Sequence, residues 1–473
     1  MRRTKIVATL GPASAAPDGI AALLDAGADV VRFALAHGTA DEHLARIQLV
    51  RDIAERRSHT VAVLADLPGP KVRSGAFPEG GVFLSEGAEV ELVAGEEPSG
   101  DRRIRVGVDD LAGIVAAGDT IVLGDGTVSL EATAVDGDVV RAVVHSGGRL
   151  QGRPGVHLPS DRWMPPVPTD DDLRLLDQVG RLADWVAVSF VRRPEEMVRV
   201  REVLGARGPR LMAKIETRAA VDHLDELIEV ADGAMVARGD LGIDFPIEEV
   251  PHLQKRIIGA CAVRGVPVVT ATQMLESMIT SPTPTRAEAS DVANAVVDGT
   301  DALMLSAETA IGRDPALVVG TMARIAERAE RSDERRIASD DRGRIERRQP
   351  SAEPVTIAMA HAALRAASEL DLAAIVCCTK SGNTARAMAA LRPSSRLIGA
   401  SPYCETARQL ALSWGVEPLV VSEYRTTDEM VWCVVEAAVQ RGLVHTGESI
   451  AVLAGAPDSP TRGSDVLRVV AVR

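Results

Sequence analysis

Eight short runs of Val, Ala, Ile and Leu recur through the first two thirds of the chain, beginning near Lys5, Asp29, Val61, Trp185, Arg210, Gly233, Pro267 and Ala302. Apart from one long interval they start 23 to 35 residues apart. That spacing fits a strand plus the crossover helix that carries the chain back to a parallel neighbour. Continuously apolar strands belong to a sheet covered on both faces, and eight such βα units predict a TIM (β/α)8 barrel. Helix-start signals fall between the runs, including the capping boxes Thr39-Ala-Asp-Glu42 and Thr285-Arg-Ala-Glu288.

The exception is the interval between the third run, ending near Leu67, and the fourth at Trp185. Its pattern alternates, as in Glu89-Val-Glu-Leu-Val and Val139-Val-Arg-Ala-Val-Val, with Gly and Asp turns between. This predicts a small β-barrel inserted at the mouth of the larger one, placed as a lid. A charged stretch from Arg328 to Gln349 follows the eighth unit and reads as the end of a long helix and a linker. Beyond Pro350 helices and strands alternate again, as in an α/β domain. The expected division is a barrel domain of residues 1–72 and 167–345, a lid of 73–166 and a C-terminal α/β domain of 346–473.

Hydrophobic residues make up 46% and aromatics only 2%, so the cores are aliphatic. A net charge of -14 argues against nucleic acid or an acidic membrane as partner. The chain has no apolar run of eighteen residues and no signal-peptide core after Met1, which predicts a soluble, cytoplasmic protein. Five scattered cysteines favour buried free thiols in a reducing compartment.

In a barrel of this type the C-terminal ends of the strands face the active site. Lys214 and Glu216 close the fifth run, and Ala237-Arg-Gly-Asp240-Leu-Gly242 closes the sixth. Glu216 and Asp240 suit a hard divalent cation, with Lys214 as a fixed positive charge beside it for an anionic or phosphoryl substrate. Arg32 ends the second run and Arg73 follows the third, and together they suit an anion clamp. Thr272, ending the seventh run, is placed to bind a carboxylate, relay a proton or cap a helix. His37 follows the second strand, where it is either a ligand contact or an ordinary loop histidine. In the last domain, Thr379-Lys380-Ser381-Gly382-Asn383-Thr384 joins a strand to a helix read as Ala385 to Leu391. Its hydroxyls, lysine and free N–H groups suit a regulatory phosphate, although the spacing is not that of a P-loop.

These motifs resemble the pyruvate kinase family. The resemblance runs from Arg3-Thr-Lys-Ile-Val-Ala-Thr-Leu-Gly-Pro-Ala-Ser14 through Lys214-Ile-Glu216, Ala271-Thr-Gln-Met-Leu-Glu-Ser-Met278, Pro284-Thr-Arg-Ala-Glu288 and Met304-Leu-Ser-Ala-Glu-Thr309 to Ala407-Arg-Gln-Leu-Ala-Leu-Ser-Trp-Gly415. It covers essentially the whole chain. It implies phosphoryl transfer from phosphoenolpyruvate to ADP, giving pyruvate and ATP, with Mg²⁺ (or Mn²⁺) on Glu216 and Asp240. It further implies that Lys214 stabilises the phosphoryl group, that Arg32 and Arg73 hold phosphate, and that Gly239, Asp240 and Thr272 hold the carboxylate. His37, Arg73 and Arg153 fall on the nucleotide side. A homotetramer and a phosphorylated effector at the Thr379–Thr384 loop are also implied.

The departures from the family pattern cluster. Oxygen donors to K⁺ in that family are replaced by Ala34, Ala36 and Leu67, and its nucleotide-contacting lysine by Pro154. Lys71 stands where K⁺-requiring relatives carry glutamate, within reach of Asp66. The expectation is an enzyme that does not need K⁺. Two other readings are a relative that uses a different phosphoryl donor or acceptor and a non-catalytic phosphoenolpyruvate-binding protein.

Overall fold

A computed structural model describes residues 2–124, 126–159, 162–331, 353–424, 426–455 and 463–473. The eight apolar runs form eight parallel strands: Lys5–Thr9, Val30–Ala34, Ala62–Asp66, Trp185–Val188, Arg210–Ile215, Gly233–Ala237, Val268–Ala271 and Ala302–Leu305. Each pairs with its sequence neighbour, and the first closes on the eighth through Lys5↔Ala302 to Ala8↔Leu305, giving a closed barrel. The strands are buried on both faces because each side chain has an apolar layer to enter. Ile6, Ala8, Val31 and Phe33 pack outward against the helices, while Val7, Val30, Leu64, Trp185, Met212, Met235 and Val269 fill the interior. Both expected capping boxes are formed, at Thr39 with Glu42 and at Thr285 with Glu288.

Period two along each strand sets what lies above that plug. Two residues beyond Val7, Val30, Leu64, Ala187 and Met212 come Thr9, Arg32, Asp66, Ser189 and Lys214. The top inward layer of the barrel is therefore polar on these five strands.

The inserted segment forms a six-stranded sheet and a two-stranded sheet around one apolar core that includes Leu92, Ile104, Leu123, Leu130 and Val140. The edges of the larger sheet are the strands Arg103–Val106 and Val156–His157. The segment at Arg73 and Ser74 bridges both edges, through Arg73↔Gly155 and Ser74↔Val106. Closure of the lid thus rests on two single-residue bridges rather than on a full strand.

The C-terminal domain is a five-stranded sheet whose last strand, Val466–Ala471, is antiparallel at one edge. It seals the base of the barrel. Ala411 and Leu412 join the interior cluster, and the Trp185 indole N–H donates to the Gln409 carbonyl oxygen at 3.1 Å. Arg408 reaches Asp184 at 2.8 Å and Arg392 reaches Asp301 at 2.9 Å. The helix Pro315–Glu330 ends where the expected linker begins, and the linker, with the boundary at 345/346, lies outside the described residues. All five cysteines are free, and Cys261, Cys377 and Cys378 are buried. The expectation of buried thiols is corrected at Cys404, which is exposed, and at Cys433, which is half-buried. Among the described residues no helix is long and apolar enough to cross a membrane.

Candidate active site

Lys214 stands at the centre of the polar layer. Its ammonium donates to the Ser189 hydroxyl at 2.7 Å and lies 3.4 Å from Asp66 Oδ1 and 3.5 Å from Glu216 Oε2. Burial acts to lower its pKa, but Asp66 and Glu216 outweigh burial and hold it above the ordinary lysine value. Lys214 is therefore a permanent cation here. Asp66 shows the reciprocal effect. Burial pushes its carboxyl up, yet Lys214 and Arg32 together hold it below the ordinary range. Arg32 donates from Nε to Asp66 Oδ2 at 2.7 Å and from Nη1 to the Thr9 hydroxyl at 3.0 Å, which fixes the guanidinium against the barrel wall.

Glu216 is fully buried just beyond the end of the fifth strand. One carboxylate oxygen accepts from the Phe190 amide at 2.6 Å, while Oε2 is buried without a hydrogen-bond partner among the described residues. Burial first, and then the charge of Asp240, push its pKa up to about 7 against the pull of Lys214. A buried, under-coordinated carboxylate oxygen beside a second carboxylate is the donor set that a hard divalent cation satisfies. The residues fit the cation implied by the sequence. Among the described residues no group of three or more His, Cys, Asp or Glu forms a metal cluster.

Strained backbone surrounds these groups. Phe190, Thr272 and Gln273 adopt positive φ of 57°, 67° and 53°, at a cost of order 1–3 kcal/mol each for non-glycine residues. The Thr272 hydroxyl accepts from the Gly239 amide at 2.8 Å and donates to the Ala271 carbonyl at 2.7 Å, while Arg238 reaches the Thr272 carbonyl at 2.7 Å. The end of the seventh strand is thereby tied to the turn that carries Asp240.

The structure brings Arg32, Asp66, Lys214 and Glu216 into one contact network, with Asp240 coupled to it by charge and Gly239 and Thr272 joined to each other beside it. Ser189, Thr9, Phe190 and Arg238 belong there as well and were not expected. Counting by twos from Trp185 would have found Ser189, whereas the Phe190 conformation leaves no sequence signal. Arg73 and Arg153 sit together at the root of the lid, where Arg73 Nη1 donates to the Arg153 carbonyl at 3.2 Å and Arg153 approaches Glu96 at 3.5 Å. His37 is exposed in the turn after the second strand, and Lys71 is exposed at the lid hinge. A cleft of about 670 Å³ separates lid from barrel and is lined by Lys71, His157, Trp163, Arg192 and Asp240 among others. His157 meets Asp244 across it at 3.1 Å.

The Thr379–Thr384 loop lies in the other domain, away from this network. Thr379 accepts from the Gly382 amide at 2.9 Å, Gly382 takes φ +85° as the helix N-cap, and the helix runs Asn383–Ala390. The Lys380 carbonyl accepts from Thr406 at 2.8 Å and the Ser381 carbonyl from Arg210 at 2.8 Å.

Comparison with known proteins places this geometry in a family. The model described as pyruvate kinase, barrel domain, matches residues 1–319, and that described as pyruvate kinase, alpha/beta domain, matches residues 357–470. The chain belongs to the pyruvate kinase family. It is 41% identical over 475 residues to a pyruvate kinase of Geobacillus stearothermophilus, covering 99% of this chain and 80% of that one. It is 38% identical over 477 residues to a pyruvate kinase of Clostridium acetobutylicum, covering 100% of both. A pyruvate kinase of Staphylococcus epidermidis is 39% identical over 477 residues, covering 99% of this chain and 80% of its own. This pyruvate kinase family member is a phosphotransferase.

Proposed function

We propose that the barrel mouth transfers the phosphoryl group of phosphoenolpyruvate to ADP, yielding pyruvate and ATP. The observation that carries the reading is the permanent cation Lys214 lying 3.5 Å from the orphaned oxygen of Glu216. The P–O bond to the enol oxygen breaks as a terminal ADP oxygen bonds to phosphorus, and the enolate released takes a proton at its methylene carbon. Lys214 faces the phosphoryl group in flight, where a fixed charge in a dry site needs no reorganisation. Arg32, braced by Asp66 and Thr9, binds a phosphate oxygen, and Arg73 reaches the same group from the lid root. The Gly239 amide and the Thr272 hydroxyl orient the carboxylate, and Thr272 lies on the proton path. Glu216 and Asp240 would hold Mg²⁺ or Mn²⁺, which when bound neutralises the substrate's carboxylate and phosphate oxygens.

His37, Arg73 and Arg153 form the nucleotide side of the cleft. Lys71, with Asp66, stands in for K⁺, since Ala34, Ala36 and Leu67 offer no side-chain oxygen. The Thr379–Thr384 loop takes a phosphorylated effector, the chain works as a homotetramer, and its location is cytoplasmic. The residue ranges 1–72 with 167–345, 73–166 and 346–473 are the domain division that accompanies this reading. The test is pyruvate release from phosphoenolpyruvate with ADP, GDP, UDP and no nucleotide side by side. Release that depends on a nucleoside diphosphate supports the reading. Equal release without nucleotide, or none with any of them, refutes it.

A further inference from the structure

The loop from Ser189 to Arg192, which follows the fourth strand, touches Glu216 on one side and both connections to the lid on the other. Towards the barrel, the Phe190 amide donates to Glu216 Oε1 at 2.6 Å, and Oε2 keeps no hydrogen-bond partner. Towards the lid, the outgoing connection crosses the loop at Gly69, where φ is +64°. A Cβ on Gly69 would stand 2.8 Å from Phe190 Cδ2, 3.0 Å from Ser189 Cβ and 3.2 Å from the Ser189 carbonyl oxygen. The hinge therefore lies directly on the loop, with no room for a side chain between them. The Ser189 hydroxyl holds the same connection by donating to the Leu67 carbonyl at 2.7 Å. The returning connection is held by Arg192, whose Nη2 donates to the Pro165 carbonyl at 2.5 Å while Glu196 fixes the guanidinium at 2.7 Å.

The Ser189 carbonyl and the Phe190 N–H belong to one planar peptide unit, which moves as a body. Gly69 rests on the carbonyl edge of that unit, and Glu216 is tied to its N–H edge. Pressure or release at the hinge is thus felt at the carboxylate through a single rigid group. The φ of 57° at Phe190 is strained for phenylalanine and free for glycine. Glycine would present the same amide without strain. What phenylalanine adds is the ring under the hinge, which keeps the peptide from relaxing while Gly69 is seated.

We propose that Phe190 is a positioning residue through which the lid hinge at Gly69 sets the affinity of Glu216 for its divalent cation. The proposal rests on the reading that Glu216 and Asp240 hold that cation. With Gly69 seated, the Ser189–Phe190 peptide cannot tilt, and Glu216 keeps the geometry in which Oε1 is tied and Oε2 is left for the metal. With Gly69 lifted, the strain at Phe190 is released by a tilt that breaks the amide bond to Oε1. By linkage, the cation in turn favours the seated hinge.

Mn²⁺ binding to the full chain without substrate, read by electron paramagnetic resonance, tests this. Gly69→Ala sets a methyl against the peptide from the hinge and alters neither Glu216 nor Asp240. It should weaken Mn²⁺ about tenfold, the loss of one hydrogen bond to a charged group. Phe190→Gly keeps the amide but frees the peptide, and should weaken Mn²⁺ several-fold. Adding Gly69→Ala to Phe190→Gly should then cost less than about threefold, because the peptide is already free to tilt. An equal loss from Gly69→Ala in both backgrounds overturns the proposal, since the effect would not run through Phe190. Glu216→Gln separates the proposal from the reading beneath it. Unchanged Mn²⁺ affinity in Glu216→Gln overturns both, whereas a loss there with full affinity in Gly69→Ala overturns the proposal alone. If Gly69→Ala does not fold, Phe190→Gly decides: a several-fold loss supports the proposal, and wild-type affinity overturns it.

Discussion

Replacing Lys214 with Met keeps an unbranched side chain, one atom shorter, and deletes its charge. The ammonium lies 3.4 Å from Asp66 and 3.5 Å from Glu216. At an effective dielectric of about 20 each contact amounts to roughly 5 kcal/mol before desolvation is counted. Removing one partner of a buried pair leaves a net cost of about 3–5 kcal/mol. Asp66 keeps Arg32 at 2.7 Å, so the penalty falls on Glu216, which escapes part of it by taking a proton. A stability loss near the low end, about 3 kcal/mol, follows. The kinetic loss is larger in consequence, because a preorganised charge aimed at the transition state is worth about 10²–10³ in turnover. In a coupled pyruvate assay at saturating Mg²⁺, kcat should fall by about that factor. The KM for phosphoenolpyruvate should move little, since Arg32, Gly239 and Thr272 still bind the substrate, and the thermal midpoint should drop. Turnover within tenfold of the wild type in a folded Lys214→Met protein would refute the assignment of Lys214 to the transferring group.

Glu216→Gln keeps the shape of the side chain but supplies no anionic oxygen, so Mn²⁺ affinity read by electron paramagnetic resonance should weaken at least about tenfold; unchanged affinity would move the metal elsewhere. Activity in tetramethylammonium buffer should be flat as K⁺ is titrated in at constant ionic strength, and Lys71→Glu should impair it; activation of tenfold or more by K⁺ would contradict the role given to Lys71. Asp29, which accepts from Arg2 and from the Ile6 amide, both at 2.8 Å, is held below the ordinary carboxylate range because Arg2 and Lys5 outweigh its burial. A depressed carboxyl contributes stability above its unfolded pKa of about 3.9 and loses it as pH falls through the folded value. Asp29→Asn should therefore cost about 2 kcal/mol near neutral pH, with the difference from wild type closing below about pH 4, as thermal melts across pH would reveal. Lys380→Ala should abolish any shift of the phosphoenolpyruvate saturation curve by sugar phosphates while leaving basal turnover intact, and a shift that persists would remove the loop from regulation.

The barrel was readable because its strands are buried on both faces. The expected starts at Lys5, Trp185, Arg210, Gly233 and Ala302 coincide with the observed ones, and those at Asp29, Val61 and Pro267 precede the observed Val30, Ala62 and Val268 by one residue. Charged residues that directly follow such runs are conspicuous, which is why Lys214, Glu216 and Asp240 stood out. Ser189 did not, because a serine after an apolar run is also an ordinary strand end; only its inward phase marks it. The positive φ of Phe190 and Thr272 is imposed by tertiary contacts and has no local signature. Closure of the lid escaped a strand-by-strand reading for a similar reason, since Arg73 and Ser74 contribute one bridge each and no repeating pattern. The commitments of Asp66 were hidden too. Its two oxygens are shared among Arg32, Lys214 and Ser189, residues on or just beyond three different strands that only the barrel brings together.

The most direct measurement is ³¹P nuclear magnetic resonance of phosphoenolpyruvate and ADP with Mg²⁺, comparing wild type with Glu216→Gln at equal protein loading. The phosphoenolpyruvate resonance should disappear in step with growth of the γ-phosphate resonance of ATP, and the variant should be slower by at least about a hundredfold. Loss of phosphoenolpyruvate with inorganic phosphate as the sole new resonance, or equal rates in the two proteins, would contradict this expectation.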